Sequence, residues 1–187
     1  MIKAVFFDRD GVLNQEIYRK KLKKWSAPHN HKEVKINKST LKTLKILKTR
    51  GFLLFVISNQ PDYAIGMTSL KNLKEVHKKI NKIFKSHLIK INNFYYSYKH
   101  PESLKKNHGP PCFDRKPNPY FINKAKKKYK LDLNNTWIIG DRQTDMECGL
   151  RAKIQTIGLA NNRYKFNKKK KPHFIVKNIS NILDIIK

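Results

Sequence analysis

The segment at residues 2–14 constrains this chain most: an apolar run, Ile2 to Phe7, leads into Asp8-Arg9-Asp10-Gly11-Val12-Leu13-Asn14. A run suited to a buried strand stops at two carboxylates spaced two apart, and a glycine follows. Strands of open α/β sheets present their functional groups at their C-terminal ends, so both acids are expected at a ligand crevice. Two like charges at one strand end repel each other unless a cation or a proton separates their roles. An aspartate nucleophile with a partner acid meets that condition. Two turn-forming acids fit the flanking strand and Gly11 less well.

The rest of the chain alternates strand-like and helix-like segments, which predicts a mainly parallel sheet with right-handed crossovers in one domain over residues 1–187. An irregular stretch is expected up to about residue 35. Helices are expected over about 37–49, 69–86, 118–129, 143–152 and 178–186, and strands over 52–57, 94–97, 137–139, 154–157 and 174–176. Leu41, Leu44 and Leu47 mark one face of the first helix, and Leu70, Leu73, Val76, Ile80 and Ile83 that of the second. Hydrophobic residues make up 39% of the 187, enough to bury a core. Two cysteines give no disulfide framework, which fits a reducing cytoplasm. Asp8 interrupts the apolar stretch near the start, so no signal peptide is expected, and no apolar run is long enough to span a bilayer. The formal charge of +29 suits an anionic partner. It equally suits a general Lys, Asn and Ile bias, because lysines such as Lys124 to Lys128 are spread over helix faces and Lys168 to Lys171 reads as an exposed loop.

Three later segments complete a set with Asp8 and Asp10. The second strand ends in Ser58-Asn59-Gln60. Arg115-Lys116-Pro117 reads as the opening of a helix, with proline early in it. The strand at 137–139 runs into Gly140-Asp141-Arg142, with Asp145 four residues past Asp141. A carboxylate nucleophile, a hydroxyl, a lysine and further carboxylates at converging strand ends suit phosphoryl transfer through an aspartyl-phosphate. Ser58 also reads as a cap for the segment after it, Arg115 as a surface arginine, and Asp145 as a first-turn helix acid.

With these four segments in this order, the chain resembles the haloacid-dehalogenase-like phosphatases over about residues 2–159. More narrowly, D-R-D-G-V-L-N, S-N-Q, R-K-P and G-D-R-x-x-D are similar to the branch holding the D-glycero-D-manno-heptose-1,7-bisphosphate 7-phosphatases and the histidinol-phosphatase domain. The resemblance implies an α/β, Rossmann-like three-layer sandwich without a large cap. It implies that Asp8 attacks phosphorus and that Asp10 protonates the departing oxygen and then activates water. Mg²⁺ is implied at the Asp8 and Asp141 carboxylates and the Asp10 backbone carbonyl. Asp145 is implied to orient Lys116 or a metal-bound water. Ser58 and Asn59 are expected to donate hydrogen bonds to the phosphoryl oxygens, and Lys116 to neutralise charge growing there. Arg9, Asn14, Gln60, Arg115 and Arg142 are assigned to substrate binding. The expected partner is a phosphorylated small molecule, a sugar bisphosphate first, handled by a cytoplasmic monomer. Histidinol phosphate and a nucleic-acid 3′-phosphate are the alternatives, the latter weakened by the lack of a clustered aromatic platform.

Residues 98–114 depart from that branch. Many of its members bind zinc through C-x-H…C-x-C just before R-K-P. Here Ser97 and Lys99 stand in the first half, and Cys112 and Asp114 in the second. Only Cys112 remains at a ligand position, and adding His100 and His108 gives a mixed set that fits structural zinc poorly. Residues 15–35 also diverge: Tyr18 to Lys21 and Trp25 to His29 either grip a second phosphate or form a solvated loop pinned by Trp25. In Gln60 to Gly66, Ile65 replaces an arginine of the branch's N-Q-P-D-x-A-R-G variant. Elemental analysis of the purified protein is expected to show no stoichiometric zinc, and a one-to-one content would overturn that expectation.

Overall fold

The computed structural model describes residues 2–187. Six strands, β1 (Ile2–Phe7), β4 (Leu53–Asn59), β5 (Asn93–Ser97), β6 (Leu131–Gly140), β7 (Gln155–Leu159) and β8 (Phe174–Val176), form one sheet ordered β5-β4-β1-β6-β7-β8. Every neighbouring pair in it is parallel. The helices are α1 (Lys38–Thr49), α2 (Leu70–Ser86), α3 (Tyr120–Tyr129), α4 (Gln143–Arg151) and α5 (Ile182–Ile185). A separate antiparallel hairpin joins β2 (Ile17–Arg19) to β3 (Lys24–Ser26).

Side-chain alternation in β1 builds the three layers. Val5 and Phe7 face a core closed by Leu44, Leu47, Val76, Ile80 and Ile182, from α1, α2 and α5. Ala4 and Phe6 face a second core with Ile122, Ala125 and Cys148, from α3 and α4. A strand buried on both faces reads as a continuous apolar run, as β1 and β4 do. The fold is the expected α/β sandwich, with no large cap.

Several boundaries differ from the sequence expectations. The irregular stretch before residue 35 contains the β2–β3 hairpin, which was hidden because its strands are three residues long and bury only Ser26. Cross-strand packing of Tyr18 on Trp25 and the pairing of Arg19 with Glu33 at 2.6 Å hold it together. Pro117 lies in a turn, and α3 begins only at Tyr120. The strand expected at 137–139 extends back to Leu131 through an irregularity opposite β1, where Asp132 accepts from Asn134 N and Thr136 Oγ1. The closing helix is a 3₁₀ turn followed by the four residues of α5. In α2 the inward positions are Leu73, Val76, Ile80 and Phe84, while Leu70 and Ile83 are half-buried.

Helix α4 lies close on the sheet at Gly149. A Cβ there would come within 2.4 Å of Ile138 Cγ2 and 2.5 Å of Thr156 Cγ2, β-branched side chains on β6 and β7. Glycine costs about 1 kcal/mol of helix propensity relative to alanine, so close packing outweighs propensity here. Gly149→Ala is expected to lower stability by about 1–3 kcal/mol, read as a reduced urea midpoint at unchanged slope; a stabilised variant would refute the close contact.

Candidate active site

The strand order reverses at β1 and β6: the chain leaves β1 toward β4 and β5, then returns to β6 on its other side. Such a switch point leaves a crevice beyond the strand ends. Asp8 follows β1 and its N–H donates to Ile139 O of β6 at 2.9 Å. Asp141 follows β6. Gly11 has φ +92°, and a Cβ on it would lie 2.3 Å from Asp141 Oδ2. Only glycine fits both the left-handed turn and that contact.

Lys116 reaches the same point from the turn before α3. Its Nζ donates to Asp8 Oδ1 at 2.7 Å and to Ile57 O at 2.9 Å, and it lies 2.5 Å from Asp145 Oδ1. Burial alone would pull the Lys116 pKa down, but Asp145 and Asp8 outweigh it and hold the ammonium charged. Asn59 fixes the backbone of this lysine, accepting from Lys116 N at 3.0 Å and donating to Lys116 O at 3.1 Å. The Asn59 carboxamide thus holds Lys116 from the cavity wall, with one Nδ2 proton still available. Asp145 satisfies both readings of it: Oδ1 pairs with Lys116, while Oδ2 accepts Arg142 N at 3.1 Å in the first turn of α4.

Asp8, Asp141 and Asp145 each bring a carboxylate oxygen within 4.8 Å of the others. Three carboxylates against one ammonium leave two negative charges uncompensated. Burial first, then Asp8 and Asp145, push the Asp141 carboxyl up to about 8. Burial also raises Asp145, opposed by Lys116. Asp141 Oδ2 accepts from Asn161 Nδ2 at 3.2 Å, but the buried Oδ1 has no hydrogen-bond partner. Clustered oxygen donors, surplus negative charge and an unsatisfied carboxylate oxygen fit a hard divalent cation.

Asp8, Asp145 and Lys116 floor a cavity of about 620 Å³, with Asp10 and Ser58 also in its wall and Asp141 buried just beneath it. Its rim is cationic: Lys24 comes from the hairpin, Arg115 and Arg142 from motif segments, and Arg163 and Lys165 from the loop after β7. Trp25 lies on this rim with 41% of its surface exposed, its ring 4.7 Å from the Arg163 guanidinium, so it faces the cavity instead of pinning the loop to the core. Arg142 pairs with Glu16 at 2.5 Å and donates to Tyr164 Oη at 3.0 Å. Sequence reasoning missed Glu16, Asn161, Arg163 and Tyr164. Asn161 lies just past the end of β7, so the strand-end rule could have found it; the others carry no local signal.

Arg9, Asn14 and Gln60 do not line the cavity, which corrects their assignment to substrate binding. Arg9 is 1% exposed, and its guanidinium pairs with the Asp10 carboxylate at 2.9 Å. Gln60 donates to Asp10 Oδ2 at 2.6 Å, and Asn14 reaches Asp10 Oδ1 at 3.3 Å. In residues 98–114, Ser97 Oγ donates to Asp114 Oδ1 at 2.9 Å, joining the first and last positions of the degenerate zinc motif. Leu104 N donates to Ala64 O at 2.8 Å and ties this loop to the segment after β4. His29 and Asp62 pair at 2.8 Å and join the hairpin region to the same segment.

The sequence and the fold are matched by known proteins. A family model described as HAD-hydrolase-like fits residues 113–182. A Campylobacter jejuni protein named D-glycero-alpha-D-manno-heptose-1,7-bisphosphate 7-phosphatase is 30% identical over 187 residues, covering 99% of this chain and 96% of its own. A Helicobacter pylori relative, named for the beta form of that substrate, is 29% identical and covers 99% and 97%. The solved D,D-heptose 1,7-bisphosphate phosphatase of B. bronchiseptica, complexed with magnesium and phosphate, superposes with a TM-score of 0.79 at 18% identity over 98% of this chain and 97% of its own. The chain belongs to the haloacid-dehalogenase-like hydrolases, in the family of these heptose-bisphosphate phosphatases.

A cation response should be visible without turnover. A raised Asp141 keeps its stabilising proton below the ordinary carboxylate range and loses it as pH rises toward about 8. Cation-free protein is therefore expected to melt at progressively lower temperature across that window. Millimolar Mg²⁺ should restore the melting temperature at the upper end, and Asp141→Asn should abolish the restoration. An unchanged Mg²⁺ response in that variant would refute the assignment.

Proposed function

We propose that the chain is a Mg²⁺-dependent phosphomonoesterase that removes the 7-phosphate of D-glycero-D-manno-heptose 1,7-bisphosphate through an aspartyl-phosphate on Asp8. The observation that carries this reading is Asp8, held 2.7 Å from Lys116 Nζ at the floor of a cavity with a cationic rim. An Asp8 oxygen forms a bond to phosphorus while the bond from phosphorus to the C7 oxygen breaks. Asp10 gives that oxygen its proton. Water, yielding a proton to Asp10, then bonds to phosphorus as the acyl-phosphate bond breaks, and inorganic phosphate leaves. Ser58 Oγ donates to the phosphoryl oxygens, and Lys116 balances their charge. Mg²⁺, held by the Asp8 and Asp141 carboxylates and the Asp10 backbone carbonyl, would supply the positive charge that lets an anionic nucleophile meet an anionic phosphate.

The rim supports the choice of a bisphosphate. Arg115, Arg163, Lys24 and Lys165 surround the opening, where a second phosphate projects once the first is at Asp8. Asp62, the lining acid away from the reacting groups, is already paired with His29 at 2.8 Å, which places histidinol phosphate second. No helix among the described residues is long and apolar enough to cross a membrane.

A phosphate-release screen tests the reading: both anomers of the heptose bisphosphate, histidinol phosphate and a 3′-phosphorylated oligonucleotide, each with and without Mg²⁺. The heptose bisphosphate is expected to give the highest kcat/KM, and Asp8→Asn to abolish release while far-UV circular dichroism stays unchanged. Turnover surviving in Asp8→Asn, or a preference for either of the other substrates, would overturn it.

A further inference from the structure

Gln60, Arg9, Asp10 and Ser58 form one hydrogen-bonded unit, with Asp10 and Ser58 in the cavity wall and Gln60 and Arg9 buried behind it. We infer that Gln60 and Arg9 are positioning residues: they hold the Asp10 carboxylate at the angle from which it serves the departing oxygen, and Gln60 ties that angle to the Ser58 hydroxyl. The inference rests on the role given to Asp10 in the proposed function.

The chemistry of the unit allows one arrangement. Gln60 Oε1 accepts from Arg9 NH2 at 2.5 Å, while Nε2 donates to Asp10 Oδ2 at 2.6 Å and to Ser58 Oγ at 3.0 Å. Turning the carboxamide over would set its NH₂ against a guanidinium that has no acceptor, and its oxygen against a carboxylate that has no donor. Arg9 Nε lies 3.1 Å from both Asp10 oxygens, and NH2 lies 2.9 Å from Oδ2. The guanidinium is itself backed by the Tyr96 ring at 5.3 Å, and Tyr96 Oη meets His77 Nδ1 at 3.2 Å. Arg9 and Gln60 are each 1% exposed and Asp10 6% exposed, so no side chain of the unit can relax into solvent. A solvated acid would sample several rotamers; this one is braced by Arg9 and Gln60, and by Asn14 at 3.3 Å.

Bracing of an acid leaves a signature that general support of the fold does not. Proton donation matters when the leaving oxygen is a poor one, as in a sugar or alkyl phosphate. It matters little for p-nitrophenyl phosphate, whose leaving group departs without a proton. Loosening Asp10 should therefore cost more on alkyl than on aryl phosphates, out of the ~10²–10⁴-fold that such an acid contributes.

The experiment compares kcat/KM of the wild type, Gln60→Met, Gln60→Asn and Asp10→Asn on p-nitrophenyl phosphate and on an alkyl phosphate series, with melting curves to establish folding. Gln60→Met keeps side-chain length without the amide, and Gln60→Asn keeps the amide but withdraws it by one methylene. Both are expected to lose about tenfold or more beyond their aryl loss on the alkyl substrates, following the direction of Asp10→Asn. If Asp10→Asn shows that selectivity while the folded Gln60 variants lose equally on all substrates or not at all, the inference falls and the proposed mechanism stands. If Asp10→Asn itself loses equally on all substrates, the acid role falls and the inference with it.

Discussion

The Lys116 ammonium is the interaction on which the site depends. It is buried, touches Asp8 and Asp145, and donates its remaining proton to the Ile57 carbonyl. An ammonium taken out of water in this way is tolerable only with several partners; removing one partner of a buried pair typically costs about 3–5 kcal/mol. The same contacts orient Asp8 and hold α4 through Asp145, which also caps that helix at Arg142. One cation is thus both the organiser of three chain segments and half of a charge balance. The other half, two surplus negative charges among Asp8, Asp141 and Asp145, is left for a metal ion to balance.

The sheet explains why these groups meet. Parallel strands turn all their C-terminal ends to one edge, and the reversal of order between β1 and β6 keeps the connections there from covering the crevice. Asp8, Ser58 and Asp141 each follow or close a strand at that edge, and Lys116 enters from the turn before α3. Without a large cap, the cavity is walled by small pieces: the β2–β3 hairpin and the loop after β7, which meet where Arg163 lies over Trp25. Such a wall leaves the far end of a substrate near solvent, while Glu16, fully buried beneath Arg142 and Arg163, holds both arginines in place.

A position within a motif did not reveal which way its side chain points. Arg9 and Gln60 stand beside reacting groups in sequence, yet both side chains are buried under the site, where they contact Asp10. Asn59, beside Ser58 in the cavity wall, uses its carboxamide to hold the Lys116 backbone. The zinc-loop positions show the complementary case. Ser97 and Asp114 are poor ligands by type, and they also make a hydrogen bond with each other that no local pattern announced. Short strands such as β2 and β3 escaped notice because three residues cannot establish a period.

Local sequence determined the strands, most helices and the four strand-end segments, because burial imposes apolar runs and charged groups interrupt them abruptly. It also determined the pairing of two acids with a lysine and a third carboxylate, since residue types survive any folding. The tertiary structure alone decided which of those side chains face the cavity, what supports them from behind, and how the rim is charged. Those outcomes depend on contacts between residues far apart in the chain, such as Arg163 with Trp25 and Glu16 with Arg142, and no local periodicity encodes a partner more than a hundred residues away.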